Sequence, residues 1–130
     1  MIVIGYTADR FGHAALEHGI AEARLRDTSL LVINATSGDA YVDTRFAAEA
    51  EVHDVEARLA ECGIDFKLVQ PVGVDAADEL LSAMERSDAE LLVVGIRNRN
   101  PVGKLLLGSV AQQLILECPK PVLAVKPISD

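Results

Sequence analysis

The sequence predicts a single α/β domain over residues 1–130, a doubly wound, five-stranded parallel sheet with helices on both faces. Three observations carry that prediction. There are five short apolar runs too continuous for strands buried on one face only, amphipathic segments of helical period between them, and turn-forming residues at the junctions. Strands separated by helices are joined by crossovers and not hairpins, which makes the sheet parallel. Right-handed crossovers then place helices on both faces, and ligands of such sheets sit beyond the carboxyl ends of the strands where strand order reverses. Periodicity alone does not order the strands.

Met1-Ile-Val-Ile-Gly5 is the first buried strand, and Asp9 is the predicted N-cap of a helix that runs to Arg26 with Leu16, Ile20 and Ala23 on one face. Ser29-Leu-Leu-Val-Ile-Asn-Ala35 is the second strand, closed by the loop-forming Thr36-Ser-Gly-Asp39. Ala48, Val52, Val55 and Leu59 then predict a long second helix over roughly residues 43–62, with Gly63 at its C-terminal end. Residues 65–70 form a third strand, and Ala77, Leu80, Leu81 and Met84 mark a short third helix ended by Ser87-Asp88. Glu90-Leu-Leu-Val-Val-Gly95 is the fourth strand and Pro121-Val-Leu-Ala-Val-Lys126 the fifth, with a helix over about 109–117 between them. No internal repeat, low-complexity tract or linker interrupts this alternation.

Composition narrows the function. Half of the 130 residues are apolar and a quarter are charged, enough apolar surface for one core and against intrinsic disorder. The formal charge of −8 argues against a broad nucleic-acid or anionic-lipid surface. No apolar run approaches the roughly 20 residues of a membrane span, and no charged n-region precedes the first apolar stretch, so a soluble, cytoplasmic protein is expected. Cys62 and Cys118 lack metal or redox spacing and read as packing residues near helix ends. His13 and Glu17, and His18 and Glu22, read as exposed i,i+4 pairs supporting the first helix, with His53 beside Asp54 in the same class.

The chemistry-bearing stretch lies between the fourth strand and the last helix, Gly95-Ile-Arg-Asn-Arg-Asn-Pro-Val-Gly-Lys-Leu-Leu-Leu-Gly108-Ser109-Val110. It is the basic part of an acidic chain, holding Arg97, Arg99 and Lys104 and no carboxylate. Such a loop attracts an anion, and the helix opened by Gly108-Ser109 adds free N–H groups and a favourable dipole. On charge alone the same loop would serve as a solvated connector; Gly95 and Gly108, where close backbone approach or positive φ is useful, tip the balance towards phosphate. A P-loop is not formed, because Asn98 stands at its first glycine and Leu105 at its hydroxyl. Tyr6-Thr7 and Gln70-Pro71 replace the acidic residues of a receiver domain, and no Gly-x-Gly-x-x-Gly follows the first strand. No nucleophile or triad is evident in the spacing.

Gly95, Asn98, Gly108 and Ser109 resemble the Gly-x2-Gly-x9-Gly-Ser/Thr motif of the universal stress protein family, and Pro119-Lys-Pro-Val-Leu-Ala-Val125 is similar to that family's last strand. The opening Ile-Gly-Tyr-Thr-Ala-Asp also resembles the family's Val-Gly-Tyr-Asp-Gly-Ser. The resemblance implies an adenine nucleotide alpha hydrolase-like fold with strand order 3-2-1-4-5. It further implies a regulatory module, not a fast enzyme, that binds ATP, with or without Mg²⁺. Gly95, Asn98, Gly108 and Ser109 would then surround the phosphates, with Arg97 as counter-charge, the N–H groups of Ser109 and Val110 as donors, and Thr7 and Ala35 near the base. It implies a homodimer through the last strand, which would otherwise be an open sheet edge. Two positions depart from the pattern: Asn98 replaces the second glycine and Thr7 the strand-one Asp. Asn tolerates the left-handed region. Loss of a carboxylate at position 7 weakens a charge-assisted hydrogen bond of roughly 1.5–3 kcal/mol. A family member that has lost its nucleotide and works as a dimeric scaffold is the alternative, and slow phosphate hydrolysis at the loop, without a recognisable general base, is a third reading.

Overall fold

The computed structural model describes residues 1–38, 43–96 and 107–127. Their elements alternate strictly: β1 (Ile2–Gly5), α1 (Arg10–Arg26), β2 (Leu30–Ile33), α2 (Glu49–Glu61), β3 (Phe66–Val69), α3 (Ala76–Met84), β4 (Leu91–Gly95), α4 (Ser109–Glu117) and β5 (Val122–Val125). All strand pairs are parallel and the sheet order is β3-β2-β1-β4-β5, as the sequence and its resemblance predict.

Continuous apolar runs appear because the central strands bury both faces. Ile2, Val3 and Ile4 of β1 have no exposed surface at all. With the period of two along a strand, Ile2, Ile4, Leu30, Val32 and Val93 face Leu16, Ile20 and Leu59 of α1 and α2. The alternate residues Val3, Leu31, Leu92 and Val94 face Leu80, Met84 and Leu114 of α3 and α4. Each fully buried side chain of this size contributes roughly 1.5–3 kcal/mol relative to exposure. Cys62 and Cys118 are half-buried at the ends of α2 and α4 and pack against the two cores.

Helix α1 is capped as the sequence predicts, Asp9 accepting the Gly12 N–H at 3.0 Å. It sits unusually close to the sheet. A Cβ on Gly12 would overlap the Thr7 carbonyl oxygen, and one on Gly95 would overlap the carbonyl of Phe11. The first turn of α1 therefore rests backbone-to-backbone on the carboxyl ends of β1 and β4, which only glycine permits.

Helix α2 begins at Glu49, six residues after the predicted start at 43. The cause is a tie from another element. Asn34, 2% exposed, donates from Nδ2 to the carbonyls of Tyr6 and Arg45 at 2.9 and 3.0 Å. Its Oδ1 accepts the Ala47 N–H at 2.7 Å and the Gln70 amide at 3.1 Å. The Thr36 hydroxyl donates to Asp43 Oδ2 at 2.6 Å, while Asp43 Oδ1 accepts the Arg45 N–H at 3.0 Å. Residues 43–47 are thus held to the sheet ends as a wall, and the helix starts only when these bonds end.

Charge pairing on α1 also differs from its spacing. His13 reaches Glu51 of α2 at 3.1 Å instead of Glu17, and Glu17 takes a forked bond from Arg58 at 2.7 and 3.1 Å. His53 lies 3.9 Å from Glu49, one helical turn back, and not against Asp54. The His13–Glu51 and Glu17–Arg58 pairs join α1 to α2, which i,i+4 pairs within α1 would not do, while His53–Glu49 is an i,i+4 pair within α2.

Replacing Asn34 by Ala strands the Ala47 N–H and the Tyr6 carbonyl in a buried place, where each unsatisfied group costs about 1–3 kcal/mol, while the Arg45 carbonyl keeps the Ala8 N–H. Urea denaturation of N34A is expected to show a loss of about 3 kcal/mol or more, with a normal urea dependence. A loss below about 1 kcal/mol would mean that the wall does not depend on this amide.

Candidate functional site

The sheet order reverses at β1, whose chain continues to β2 on one side while β4 lies on the other. A cleft of about 350 Å³ opens there, beyond the carboxyl ends of β1, β2 and β4 and against the starts of α3 and α4. Gly5 is paired with Ile33 and with Val94, so two residues further on Thr7 and Ala35 emerge side by side, with Ile96 beyond.

Thr7, Ala35, Gly95, Gly108 and Val110 all line this cleft, and Ser109 lies between the last two. These six predicted residues are brought together. Arg97 and Asn98, like Arg99 and Lys104 of the same basic stretch, lie outside the described residues. The backbone N–H and C=O of Ala35 take no part in the hydrogen bonds among the described residues, although Asn34 and Thr36 on either side are bonded to Val69 and Pro71. Helix α4 begins at Gly108 with no side-chain cap, its first internal bond running from the Gln112 N–H to the Gly108 carbonyl at 3.0 Å. The N–H groups of Ser109, Val110 and Ala111 stand ahead of that bond, where a helix leaves donors for an anion. No described residue lies within 4 Å of where a Cβ on Gly108 would stand, whereas Gly95 is required by the Phe11 backbone.

Sequence reasoning missed the far wall. Thr36, Asp43 and Arg45 line the cleft because the 43–47 segment is tied down, and Asp75 lines it as the N-cap of α3, accepting the Asp78 N–H at 3.0 Å. Their position after strands β2 and β3 was the available signal. The Thr36 hydroxyl, and then the Arg45 backbone, hold the Asp43 carboxyl below its ordinary range, so this wall carries a negative charge at neutral pH. On the near side, Thr7 Oγ1 donates to Asp9 Oδ1 at 2.6 Å. Tyr6 turns the other way, into the α1 and α2 core beside His13, with ring centroids 5.8 Å apart. Burial, and after it the Glu51 carboxylate, raise its phenol far above the usual range, and its hydroxyl has no hydrogen-bond partner among the described residues.

Peptide groups that take no partner among the described residues, at a strand end lining one cleft with a helix N-terminus at a switch point, can hold a flat polar ring at one end and an anion at the other. Comparison with known proteins agrees with this architecture. A universal stress protein of Mycolicibacterium smegmatis is 74% identical over 127 residues, 98% of each chain. The solved universal stress protein of Archaeoglobus fulgidus superimposes with a TM-score of 0.77 at 29% identity, over 96% of this chain and 97% of that one. A further Archaeoglobus fulgidus structure, a universal stress protein in complex with dAMP, shares the fold with a TM-score of 0.62 at 23% identity over 96% of both chains. The sequence profile of the universal stress protein family matches residues 1–126, and the chain belongs to that family.

Proposed function

We propose that this chain is a regulatory module of the stress response that binds an adenine nucleotide, ATP with or without Mg²⁺ or a lower phosphate, in the switch-point cleft. The single observation that carries the reading is that one cleft brings together the Ala35 peptide groups, unbonded among the described residues, and the start of α4, which has no side-chain cap. A volume of about 350 Å³ falls within the usual range for small-molecule sites. The base would lie by Thr7 and Ala35, and the phosphates would meet Gly108 and the N–H groups of Ser109 and Val110. Gly95, Asn98 and Arg97 would complete the phosphate end, Arg97 as counter-charge. The dAMP held by a family member supports the same ligand class.

Calorimetric titration of nucleotide-stripped protein with ATP and Mg²⁺ is expected to give micromolar binding. Gly108→Asp places a carboxylate at the start of α4 and is expected to weaken it by at least tenfold. Absence of heat up to millimolar ATP, with the protein folded, would favour instead a member that acts through its dimer surface.

The chain is further proposed to dimerise through β5. The carbonyls of Pro121 and Val125 bond to β4, so by alternation the peptide groups of Val122 and Ala124 point out from the sheet edge. Helix α4, which leads into β5, exposes Leu116 at 74% and Ile115 at 43%. Such an open apolar edge invites pairing with a second copy. Sedimentation velocity at micromolar concentration is expected to give a dimer, and Ala124→Pro, which removes an outward N–H, a folded monomer. A monomeric wild type would remove the idea.

A further inference from the structure

Strand β1 delivers Thr7 to the cleft, and two residues later Asp9 caps α1. The Thr7 hydroxyl lies 2.6 Å from Asp9 Oδ1, the same oxygen that accepts the Gly12 N–H at 3.0 Å. A carboxylate has no proton to give, so the hydroxyl is the donor of this bond. Its one proton is committed, and the lone pairs left on Thr7 Oγ1 can only accept. The commitment is fixed by the fold: the Asp9 N–H donates to the Thr7 carbonyl at 2.8 Å, and the Asp9 side chain is held in place by capping a 17-residue helix. The arrangement recurs across the cleft, where the Thr36 hydroxyl gives its proton to Asp43 at 2.6 Å. All four residues line the same space. The Thr7 and Thr36 hydroxyls therefore offer only acceptors, Thr7 at the β1 end of the cleft, while the backbone N–H of Ala35 beside it is a donor; the Arg45 guanidinium, which also lines the cleft, lies 3.9 Å from Asp43 on the opposite wall.

That pattern has a chemical complement. A 6-aminopurine carries an amino donor next to the N1 acceptor, whereas a 6-oxopurine carries an oxygen acceptor next to an N1–H donor. We infer that Asp9 is a specificity-determining positioning residue which, through the Thr7 hydroxyl, makes the β1 end of the cleft an obligate acceptor and selects 6-aminopurine over 6-oxopurine nucleotides. This inference rests on the nucleotide reading above. An oxo group at that position would face acceptor lone pairs with no proton between, leaving polar atoms unpaired in a partly desolvated site.

Equilibrium dialysis with AMP and IMP as probes separates the two layers of the argument. Wild-type protein is expected to bind AMP at least about tenfold more tightly than IMP. In Asp9→Ser a hydroxyl still caps Gly12 but can itself donate to Thr7, releasing the Thr7 proton, and the AMP-to-IMP preference is expected to fall to within about threefold. Thr7→Val is expected to lose AMP affinity by about tenfold with little change for IMP, while Thr7→Ser keeps the preference, so the result does not depend on one variant folding. Equal binding of AMP and IMP by the wild type, or an unchanged preference in Asp9→Ser with native melting, overturns the inference and leaves the nucleotide reading standing. Binding of neither probe by the wild type removes both.

Discussion

The site depends on the backbone-to-backbone approach of the first turn of α1 to the ends of β1 and β4. Gly12 against the Thr7 carbonyl and Gly95 against the Phe11 carbonyl leave no room for a methyl group. A side chain at either position would lift the helix from the sheet or tilt it, and the Asp9 cap would move with it. Thr7, whose hydroxyl is bonded to that cap, would then lose its partner. Close packing here is what converts the end of an ordinary strand into an oriented wall.

The opposite wall is built by a different device. Asn34 uses both amide protons and its oxygen to bind the 43–47 segment, and Thr36 with Asp43 repeats the tie beside the cleft. Both residues are 2% exposed, so these bonds are made away from water, where breaking one partner is costly. The cleft between the walls is left with peptide groups of Ala35 and the start of α4 that nothing else among the described residues engages. A preformed cleft of this kind loses less entropy when a ligand arrives than one that must be ordered on binding.

The fold was legible in the sequence because burial on both faces of β1, β2 and β4 forces continuous apolar runs, while helices on a sheet keep a 3.6-residue stripe. Legibility failed where a residue answers to a distant element. Residues 43–48 have helical spacing but are recruited by Asn34 and Thr36, partners seven or more positions away that periodicity does not register. Gly95 reads as a phosphate-loop glycine, and its lack of a side chain is demanded by Phe11, which precedes it by 84 positions. Thr7 reads as the loss of a carboxylate, yet Asp9 supplies one through the hydroxyl. Ala35, Gly108 and Val110 could be grouped from the sequence, and they line one cleft, because strand ends and a helix start are local features that motif spacing records.

The switch-point cleft is proposed as the place where the protein meets its ligand. This is tested most directly by titrating ¹⁵N-labelled protein with AMP and following the amide resonances. Saturable shifts of the Thr7, Ala35, Ser109, Val110 and Ala111 amides are expected, with those of β3 and of the exposed end of α1 unmoved. Shifts confined to the outer face of α4 and β5, or none at millimolar AMP, would contradict it.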